Sequence, residues 1–239
     1  MSKNIYCIGY YLIMKKISII PARSGSKGLK NKNILDLCGI PMFAWSIIHS
    51  KYYSNDNDEV IVSSDDDYYL EIARKFGATG IKRPKNLSLD STKTEPVMDH
   101  VLSTIDVDSQ DIIILLQPTS PVRKKKTLDF FKNVIEFKEC DSALTVVDFH
   151  GFLWENNKKF IRPLYESRPR RQDMTKKYRE TGSIYATKAK NYFETSNRVS
   201  GTVAPIYVSF EESLEVDTYE EFEVIKSYLK DNNEWSINK

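Results

Sequence analysis

Four cations surround a glycine-containing segment that follows the apolar run at residues 17–20. They are Arg23, Lys27, Lys30 and Lys32. Gly25 and Gly28 lie among them, and glycines let a backbone approach a ligand closely while successive N–H groups form a concavity that suits anions. The segment lacks the Walker A and G-x-G-x-x-G spacings. It is nevertheless typical of a phosphate-binding loop that holds a triphosphate, the alternative being a solvated basic turn.

A pair of carboxylates flanks one apolar residue near the end of the chain. Glu215 and Asp217 stand on either side of Val216, and residues i and i+2 of an extended chain point to the same face. Carboxylate, phosphate and water oxygens suit octahedral Mg²⁺. We therefore predict that Asp217 binds Mg²⁺, and that Glu215 contributes directly or through water. The alternative is an N-cap aspartate that starts the closing helix beside a surface glutamate.

Three consecutive aspartates at 65–67 also invite a metal interpretation. They precede a helical pattern at 68–76, and acidic residues favour the positive N-terminal end of a helix. We therefore predict a structural role for them, with Ser64 or Asp65 as the helix cap.

Polar residues suited to binding a ligand occur in three further places. Gln117 and Ser120 lie in the segment Q-P-T-S-P-V-R after an apolar run, where the alternative is a stiff turn that caps the next helix. Arg170, in R-P-R-R-Q-D, can bind a carboxylate with two parallel hydrogen bonds. The alternatives for this cluster are a solvated surface or a nucleic-acid patch. Tyr185 can stack on a sugar or simply pack within a strand.

Alternating strand and helix patterns must position these residues. Predicted strands cover 17–20, 59–63, 80–83, 111–116, 142–147, 181–186 and 203–208, and predicted helices cover about 40–52, 68–76, 94–105, 124–138 and 218–230. This alternation is typical of a mainly parallel sheet that binds ligands at the carboxyl ends of its strands. Arg23, Arg83 and Gln117 all follow strands and should meet at that edge. Residues 149–179 interrupt the alternation, and we interpret them as an excursion within one domain.

Composition excludes several other functions. The chain has 239 residues, a net charge of +2, 41% hydrophobic and 28% charged residues, as expected for one soluble domain without a nucleic-acid surface. Cys7, Cys38 and Cys140 have no metal-binding spacing and indicate buried, reduced thiols in the cytoplasm. The three histidines are isolated, so a zinc site is not expected. Residues 1–13 are too short to span a bilayer and are interpreted as an extension before the domain at 14–239, whose tail after the last helix should fray.

Five separated motifs resemble the N-acylneuraminate (sialic acid) cytidylyltransferases over roughly residues 16–230. They are A-R-x-x-S-K-G…K-N at Ala22, Arg23, Ser26, Lys27, Gly28, Lys32 and Asn33; R-P at 83–84; Q-P-T-S-P-x-R at 117–123; R-P-R-R-Q…G-S-x-Y at 168–185; and x-x-D-T at 215–218. Two positions depart from the family pattern. Thr181 stands in place of asparagine, and Glu215 in place of aspartate.

The resemblance implies an α/β, Rossmann-like nucleotidyltransferase fold with a dimerisation excursion at about 149–210. It implies transfer of CMP from CTP to sialic acid by a Mg²⁺-dependent homodimer. Other nonulosonic acids, legionaminic or pseudaminic, and a non-catalytic nucleotide-binding domain are the alternatives. The implied catalytic residues are Arg23, Lys32 and Asp217. The implied nucleotide-binding residues are Ala22, Arg23, Ser26, Lys27, Asn33, Arg83 and Thr94; Gln117, Ser120, Arg170 and Tyr185 would bind the acid.

Overall fold

Eleven strands and six helices form the regular structure of residues 14–25, 28–136 and 139–235, which a computed structural model describes. The strands are Lys16–Pro21 (β1), Asp36–Leu37 (β2), Ile40–Pro41 (β3), Glu59–Ser64 (β4), Thr79–Lys82 (β5), Ile112–Leu116 (β6), Ser142–Phe149 (β7), Trp154–Asn157 (β8), Phe160–Pro163 (β9), Lys177–Lys188 (β10) and Val203–Tyr207 (β11). The helices are Met42–Tyr53 (α1), Asp67–Lys75 (α2), Thr94–Leu102 (α3), Lys125–Glu136 (α4), Ala189–Thr195 (α5) and Tyr219–Asn232 (α6).

Seven strands form one sheet in the order β11-β7-β10-β6-β1-β4-β5. All neighbouring pairs are parallel except those of β10, which runs antiparallel to both β6 and β7. The predicted α/β class and mainly parallel sheet are therefore confirmed. Two small antiparallel ribbons, β2-β3 and β8-β9, lie outside this sheet.

Apolar residues of the central strands are buried on both faces of the sheet. Along β6, Ile112, Ile114 and Leu116 enter one core while Ile113 and Leu115 enter the other. The first core also contains residues of α1, α2, α4 and α6, and the second contains residues of α3 and α5. Because both faces are covered by helices, only the strand ends remain open to a ligand.

Several predicted local features differ in the structure. Asp66 caps α2 by accepting a hydrogen bond from the backbone N–H of Tyr68, so the predicted caps Ser64 and Asp65 are wrong. Helix α1 begins at Met42, after a short strand at Ile40–Pro41, and α3 ends at Leu102. The tail after α6 does not fray at once, because Trp235 is buried. Hydrophobic periodicity predicts that a helix or strand exists more reliably than it predicts the first and last residues, because those depend on individual hydrogen bonds.

Cys38 and Cys140 are free thiols and partly buried, while Cys7 lies with residues 1–13 outside the described residues. Within the described residues, no helix combines the length and apolarity needed to cross a membrane. No cluster of three or more histidine, cysteine or acidic side chains is suited to a metal in that same part of the chain.

Candidate active site

A cleft of about 400 Å³ opens at the carboxyl ends of β1, β5 and β6. Seven residues predicted from the sequence line it: Arg23, Lys32, Asn33, Arg83, Thr94, Gln117 and Asp217. They come from distant parts of the chain and meet because parallel strands end at one edge of the sheet. The predicted nucleotide-binding residues Ser26 and Lys27 lie outside the described residues.

The loop after β1 is held open by side chains from neighbouring segments. Both carboxylate oxygens of Asp65 accept hydrogen bonds from Ser24, one from its N–H and one from its hydroxyl, each at 2.9 Å. Burial alone would raise the pKa of Asp65, but these hydrogen bonds hold it below its ordinary value. Asn33 donates to the backbone oxygen of Arg23 at 2.9 Å. Asp65, in the acidic run at 65–67, therefore supports the loop after β1.

Gly28 closes the loop against the other wall of the cleft. A Cβ atom at this position would lie 3.0 Å from the backbone oxygen of Asp217. A side chain there would push apart the loop and the segment that carries the acidic pair. Glycine thus permits the close approach of this loop to the segment that carries Asp217, which Lys32 contacts.

Two predicted phosphate-binding cations form ion pairs across the cleft. Arg23 contacts Asp90 at 2.5 Å, and Lys32 contacts Asp217 at 2.9 Å. Both pairs are partly open to water, where an ion pair contributes about 0–1 kcal/mol. A triphosphate can therefore replace either carboxylate at small energetic cost.

Arg83 is bound differently. Its side chain is 4% exposed and donates to the hydroxyl and the backbone oxygen of Ser63 at 3.1 and 2.6 Å. Burial lowers its pKa to about 10, and the guanidinium stays charged at neutral pH. It is a buried cation on the floor of the cleft, whereas Arg23 and Lys32 are partly exposed and form ion pairs with carboxylates.

The segment after β6 forms the opposite wall. The N–H of Gln117 donates to the backbone oxygen of Ser183 at 3.1 Å, and the N–H of Ser120 donates to that of Gln117 at 3.2 Å. Thr119 accepts a hydrogen bond from the N–H of Val216 at 2.8 Å. This last bond places the Gln117 side of the cleft directly beside the acidic pair.

Glu215 and Asp217 line one cavity together. Val216 is buried between them, and both carboxylates line a second cavity of about 410 Å³. Burial and then the neighbouring Asp217 raise the pKa of Glu215. A pair of carboxylates, with oxygen donors only, fits a hard divalent cation. Asp217 lines both cavities.

The start of α6 removes one alternative for Asp217. Thr218 is the N-cap, and it forms a capping box with Glu221. At the start of α6, Asp217 contributes its backbone N–H, which donates to the Glu221 carboxylate at 2.8 Å. Its carboxylate is therefore not used to cap the helix, and the predicted N-cap alternative is wrong.

Five of the predicted residues that the structure describes do not line the cleft: Ala22, Ser120, Arg170, Tyr185 and Glu215, of which Glu215 lines the second cavity. Ala22 and Ser120 are fully buried, and the Ser120 hydroxyl has no hydrogen-bond partner among the described residues. Tyr185 is 2% exposed, and its hydroxyl donates to Glu180. The Arg170 side chain is 73% exposed and pairs with Asp173 at 2.6 Å. In this chain, Tyr185 packs within the strand and Arg170 lies on the surface.

Sequence reasoning overlooked several residues of the cleft. Leu87, Leu89, Asp90, Thr92 and Lys93 form its rim, and Thr119 lies on the Gln117 wall. The sequence contained a signal for the rim residues, because the loop at 84–93 follows β5 at the same sheet edge as Arg23 and Gln117. Arg123 was also overlooked, although it ends the Q-P-T-S-P-x-R motif; it is buried behind the cleft.

Known proteins similar to this chain share both its sequence motifs and its fold. A family described as cytidylyltransferase matches residues 17–235. Pseudaminic acid cytidylyltransferase of Campylobacter jejuni is 30% identical over 230 residues, with 92% of this chain and 99% of that protein covered. N-acylneuraminate cytidylyltransferase of Streptococcus agalactiae is 31% identical over 227 residues, with 87% of this chain but only 52% of that protein covered.

A solved structure of CMP:2-keto-3-deoxy-manno-octonic acid synthetase complexed with CTP has a TM-score of 0.63 and 18% identity. The match covers 91% of this chain and 99% of that one, and at this identity it shows the fold alone. It confirms the nucleotidyltransferase-like architecture, and the sequence matches confirm the family resemblance carried by the motifs. The chain therefore belongs to the cytidylyltransferase family.

Proposed function

We propose that this protein transfers CMP from CTP to the anomeric hydroxyl of a nonulosonic acid, releasing pyrophosphate. The observation that carries the proposal is the cleft itself. It brings the cations Arg23, Lys32 and Arg83 to one side, Gln117 to the other, and Asp217 between them. The cations that would bind a triphosphate and the polar wall that would bind a second substrate thus both lie next to the Asp217 carboxylate.

The nucleotide enters by exchanging ion pairs. Arg23 leaves Asp90 and Lys32 leaves Asp217, and both bind phosphate oxygens instead. Phosphates carry more charge than a carboxylate and accept charge-assisted hydrogen bonds from several directions. The exchange also frees the Asp217 carboxylate at the moment when the triphosphate arrives.

The reaction is an in-line displacement at the α-phosphorus. The anomeric oxygen forms a new bond to this phosphorus, the bond to the bridging oxygen of pyrophosphate breaks, and the hydroxyl proton is released to water. Catalysis of such a step depends on alignment and charge neutralisation more than on covalent help. Arg23, Lys32 and Arg83 hold the triphosphate, and Gln117 orients the acid.

Asp217 and Glu215 are the residues that would hold Mg²⁺. Their shared cavity, the raised pKa of Glu215 and the exclusively oxygen donors support this assignment. When bound, Mg²⁺ neutralises phosphate charge and favours departure of pyrophosphate. Burial and the neighbouring Asp217 both disfavour the charged form of Glu215, and a bound cation would stabilise that form. Glu215 therefore contributes to the site even with its longer side chain.

We propose N-acylneuraminic (sialic) acid as the acceptor, following the five motifs. Pseudaminic acid is a second candidate, because the Campylobacter jejuni relative of that name matches this chain over nearly the full length of both proteins. The two acids share the carboxylate and anomeric hydroxyl and differ in their ring substituents. Neither Gln117 nor the acidic pair distinguishes between them.

We further propose that the enzyme acts as a homodimer through the excursion at 149–210. Large apolar side chains lie exposed on and beside the β8-β9 ribbon: Trp154, Phe160, Ile161 and Leu164 are 48%, 71%, 67% and 53% exposed. Exposed apolar groups that cluster in this way mark interaction surfaces. Arg170 belongs to the same excursion and would reach an acid in the partner's cleft.

Pyrophosphate release with CTP and Mg²⁺, measured across a panel of nonulosonic acids, tests the proposal. Release with sialic acid or pseudaminic acid identifies the acceptor, and UTP and ATP should not replace CTP. CTP binding without release for any acid in the panel would contradict the proposal and favour a non-catalytic nucleotide-binding protein.

A further inference from the structure

The guanidinium of Arg123 ties the Gln117 wall to the core behind it. It donates to the backbone oxygen of Gln117 at 2.9 Å, and to the hydroxyl and backbone oxygen of Ser183 at 3.0 Å each. On α1 it donates to the hydroxyl of Ser46 at 3.1 Å and to the Nδ1 atom of His49 at 3.2 Å. One side chain thus connects the end of β6 and the middle of β10 with a helix.

This arginine is a buried cation without a direct counter-charge. Its side chain is 3% exposed, and no carboxylate among residues 14–25, 28–136 and 139–235 forms an ion pair with it. Burial lowers its pKa to about 9. Among the described residues five hydrogen-bond acceptors surround its charge, and the carboxylate of Glu212 also favours it. The network therefore depends on exclusion of water and on fixed geometry.

His49 is part of the same network. Arginine can only donate, so Nδ1 of His49 accepts and the ring proton is on Nε2. Burial, and then the charge of Arg123, lower the pKa of His49 well below its ordinary value. The Nε2 atom has no hydrogen-bond partner among the described residues, and an aromatic ring faces the imidazole at 4.7 Å.

That ring belongs to Trp235, after the end of α6. Its Nε1–H donates to the backbone oxygen of Arg123 at 3.1 Å, and Lys125 lies over the ring at 5.4 Å. The adjacent Glu234 accepts the N–H of Lys125, the first residue of α4, at 3.0 Å. The chain therefore returns from α6 to cover the Arg123 network and to cap the helix that follows the Gln117 wall.

We propose that the segment 233–235 is a positioning element, with Trp235 holding the Gln117 wall of the cleft in place through Arg123. Trp235 itself does not line the cleft. Its effect passes from its ring and indole N–H to Arg123, and from the guanidinium to the backbone oxygen of Gln117. It should act on the acid and spare the nucleotide, because Arg23, Lys32 and Arg83 are held by other residues. The kinetic test of this inference rests on the proposed function, whereas the hydrogen-exchange test does not.

The kinetic test compares Trp235→Ala with Trp235→Phe and with Phe130→Ala. Phe130 is a 50% exposed aromatic residue on α4 and serves as the matched control. For Trp235→Ala we expect kcat/KM for the acid to fall by about tenfold to a hundredfold, the size of effect that misplacement of a substrate-positioning group produces. The KM for CTP should change less than twofold. Trp235→Phe, which keeps the ring and loses the donor, should lie between, and Phe130→Ala should match the wild type.

The second arm needs no substrate. Hydrogen–deuterium exchange at the amides of Gln117 and Ser120 should accelerate in Trp235→Ala, whereas the amide of Arg83, bonded to the Ser64 oxygen at 2.7 Å, should keep its rate. If the wild type turns over no acid, the proposed function fails and exchange alone decides the positioning role. If Trp235→Ala does not fold, Trp235→Phe provides both readouts.

A lowered unfolding midpoint with unchanged kinetics and unchanged exchange at Gln117 and Ser120 would overturn the inference, because Trp235 would then only stabilise the fold. An equal loss toward CTP and the acid would overturn it as well, since the effect would not be confined to the Gln117 wall.

Discussion

The cleft edge of the sheet and the excursion at 149–179 contain similar residues in very different settings. At the cleft edge, Arg83 is 4% exposed and fixed by two hydrogen bonds to Ser63. In the excursion, the Arg170 side chain is 73% exposed and, within the described part of the chain, pairs with Asp173, three residues away. Both arginines occur in motifs of the same family, yet only Arg83 reaches the cleft of its own chain.

The difference lies in what positions each residue. Parallel strands must end at a common edge, so the residues that follow them converge whatever their distance in sequence. The excursion has no such constraint, because the β8-β9 ribbon pairs only with itself. Two of its arginines, Arg168 and Arg170, contact partners three residues away, Tyr165 and Asp173. The predictions below test this contrast, beginning with the largest effect.

Asp217→Asn should nearly abolish turnover. Loss of a metal ligand removes several kcal/mol of transition-state stabilisation, which corresponds to about a thousandfold or more in rate. Stability should hardly change, since the Asp217 side chain is 70% exposed in its pair with Lys32. The measurement is pyrophosphate release as a function of Mg²⁺ concentration. Glu215→Asp, which restores the family pattern, should stay active; a normal rate and normal Mg²⁺ dependence in Asp217→Asn would refute the metal assignment.

Arg23→Ala and Lys32→Ala should each lower turnover by about 10² to 10³, the usual loss for one preorganised charge-stabilising donor. Lys75→Ala is the matched control, because Lys75 forms an exposed ion pair with Glu71 on α2, apart from both the cleft and the excursion. Its rate should stay within about twofold of the wild type. Steady-state kinetics with CTP and the acid measure all three. Near-normal rates in both cleft variants would mean that the loop does not bind the triphosphate.

Arg170→Lys should raise the KM for the acid by about tenfold and leave the KM for CTP within twofold. Lysine keeps the charge but loses the planar fork, which weakens about one charge-assisted hydrogen bond. The exposed pair with Asp173 is weak enough to yield to a substrate carboxylate. Arg162→Lys, in the same excursion, should change neither constant. If Arg170→Lys alters only the KM for CTP, the excursion belongs to the nucleotide side.

Glu215→Gln should raise stability slightly at neutral pH when Mg²⁺ is removed. Burial raises the pKa of this carboxyl, so folding favours its protonated form and the wild type loses stability as pH rises through the folded pKa. Glutamine does not carry that loss, and the gain should vanish as pH falls below the ordinary value of 4.5. Solvent screening keeps the effect below about 1 kcal/mol. Thermal unfolding across pH measures it, with Glu220→Gln from the same cavity as control; a less stable Glu215→Gln at pH 7 would contradict the sign.

Much of the fold followed from the sequence, and the physical reason differs between elements. Continuous apolar runs such as 112–116 belong to strands buried on both faces, and their composition alone distinguishes them. Strand β10 was predicted at half its length and without a direction. Its pairing with β6 and β7 is antiparallel, and it contains an irregularity around Gly182, where φ is 72° and a Cβ would collide with the Glu215 carboxylate. Nothing in a local pattern specifies which neighbours a strand will have.

The site residues likewise divide into those that the sequence predicts and those that only the structure places. The sequence by itself determined the family, the α/β class and the cleft residues that directly follow parallel strands, because topology brings such residues together without further information. Only the tertiary structure decided which motif residues are buried behind the cleft, which carboxylates pair with Arg23 and Lys32, and where Arg170 lies. It also showed Trp235 covering Arg123 across 112 positions of sequence. Contacts of that kind depend on the packing of whole layers against each other, and no residue pattern along the chain records them.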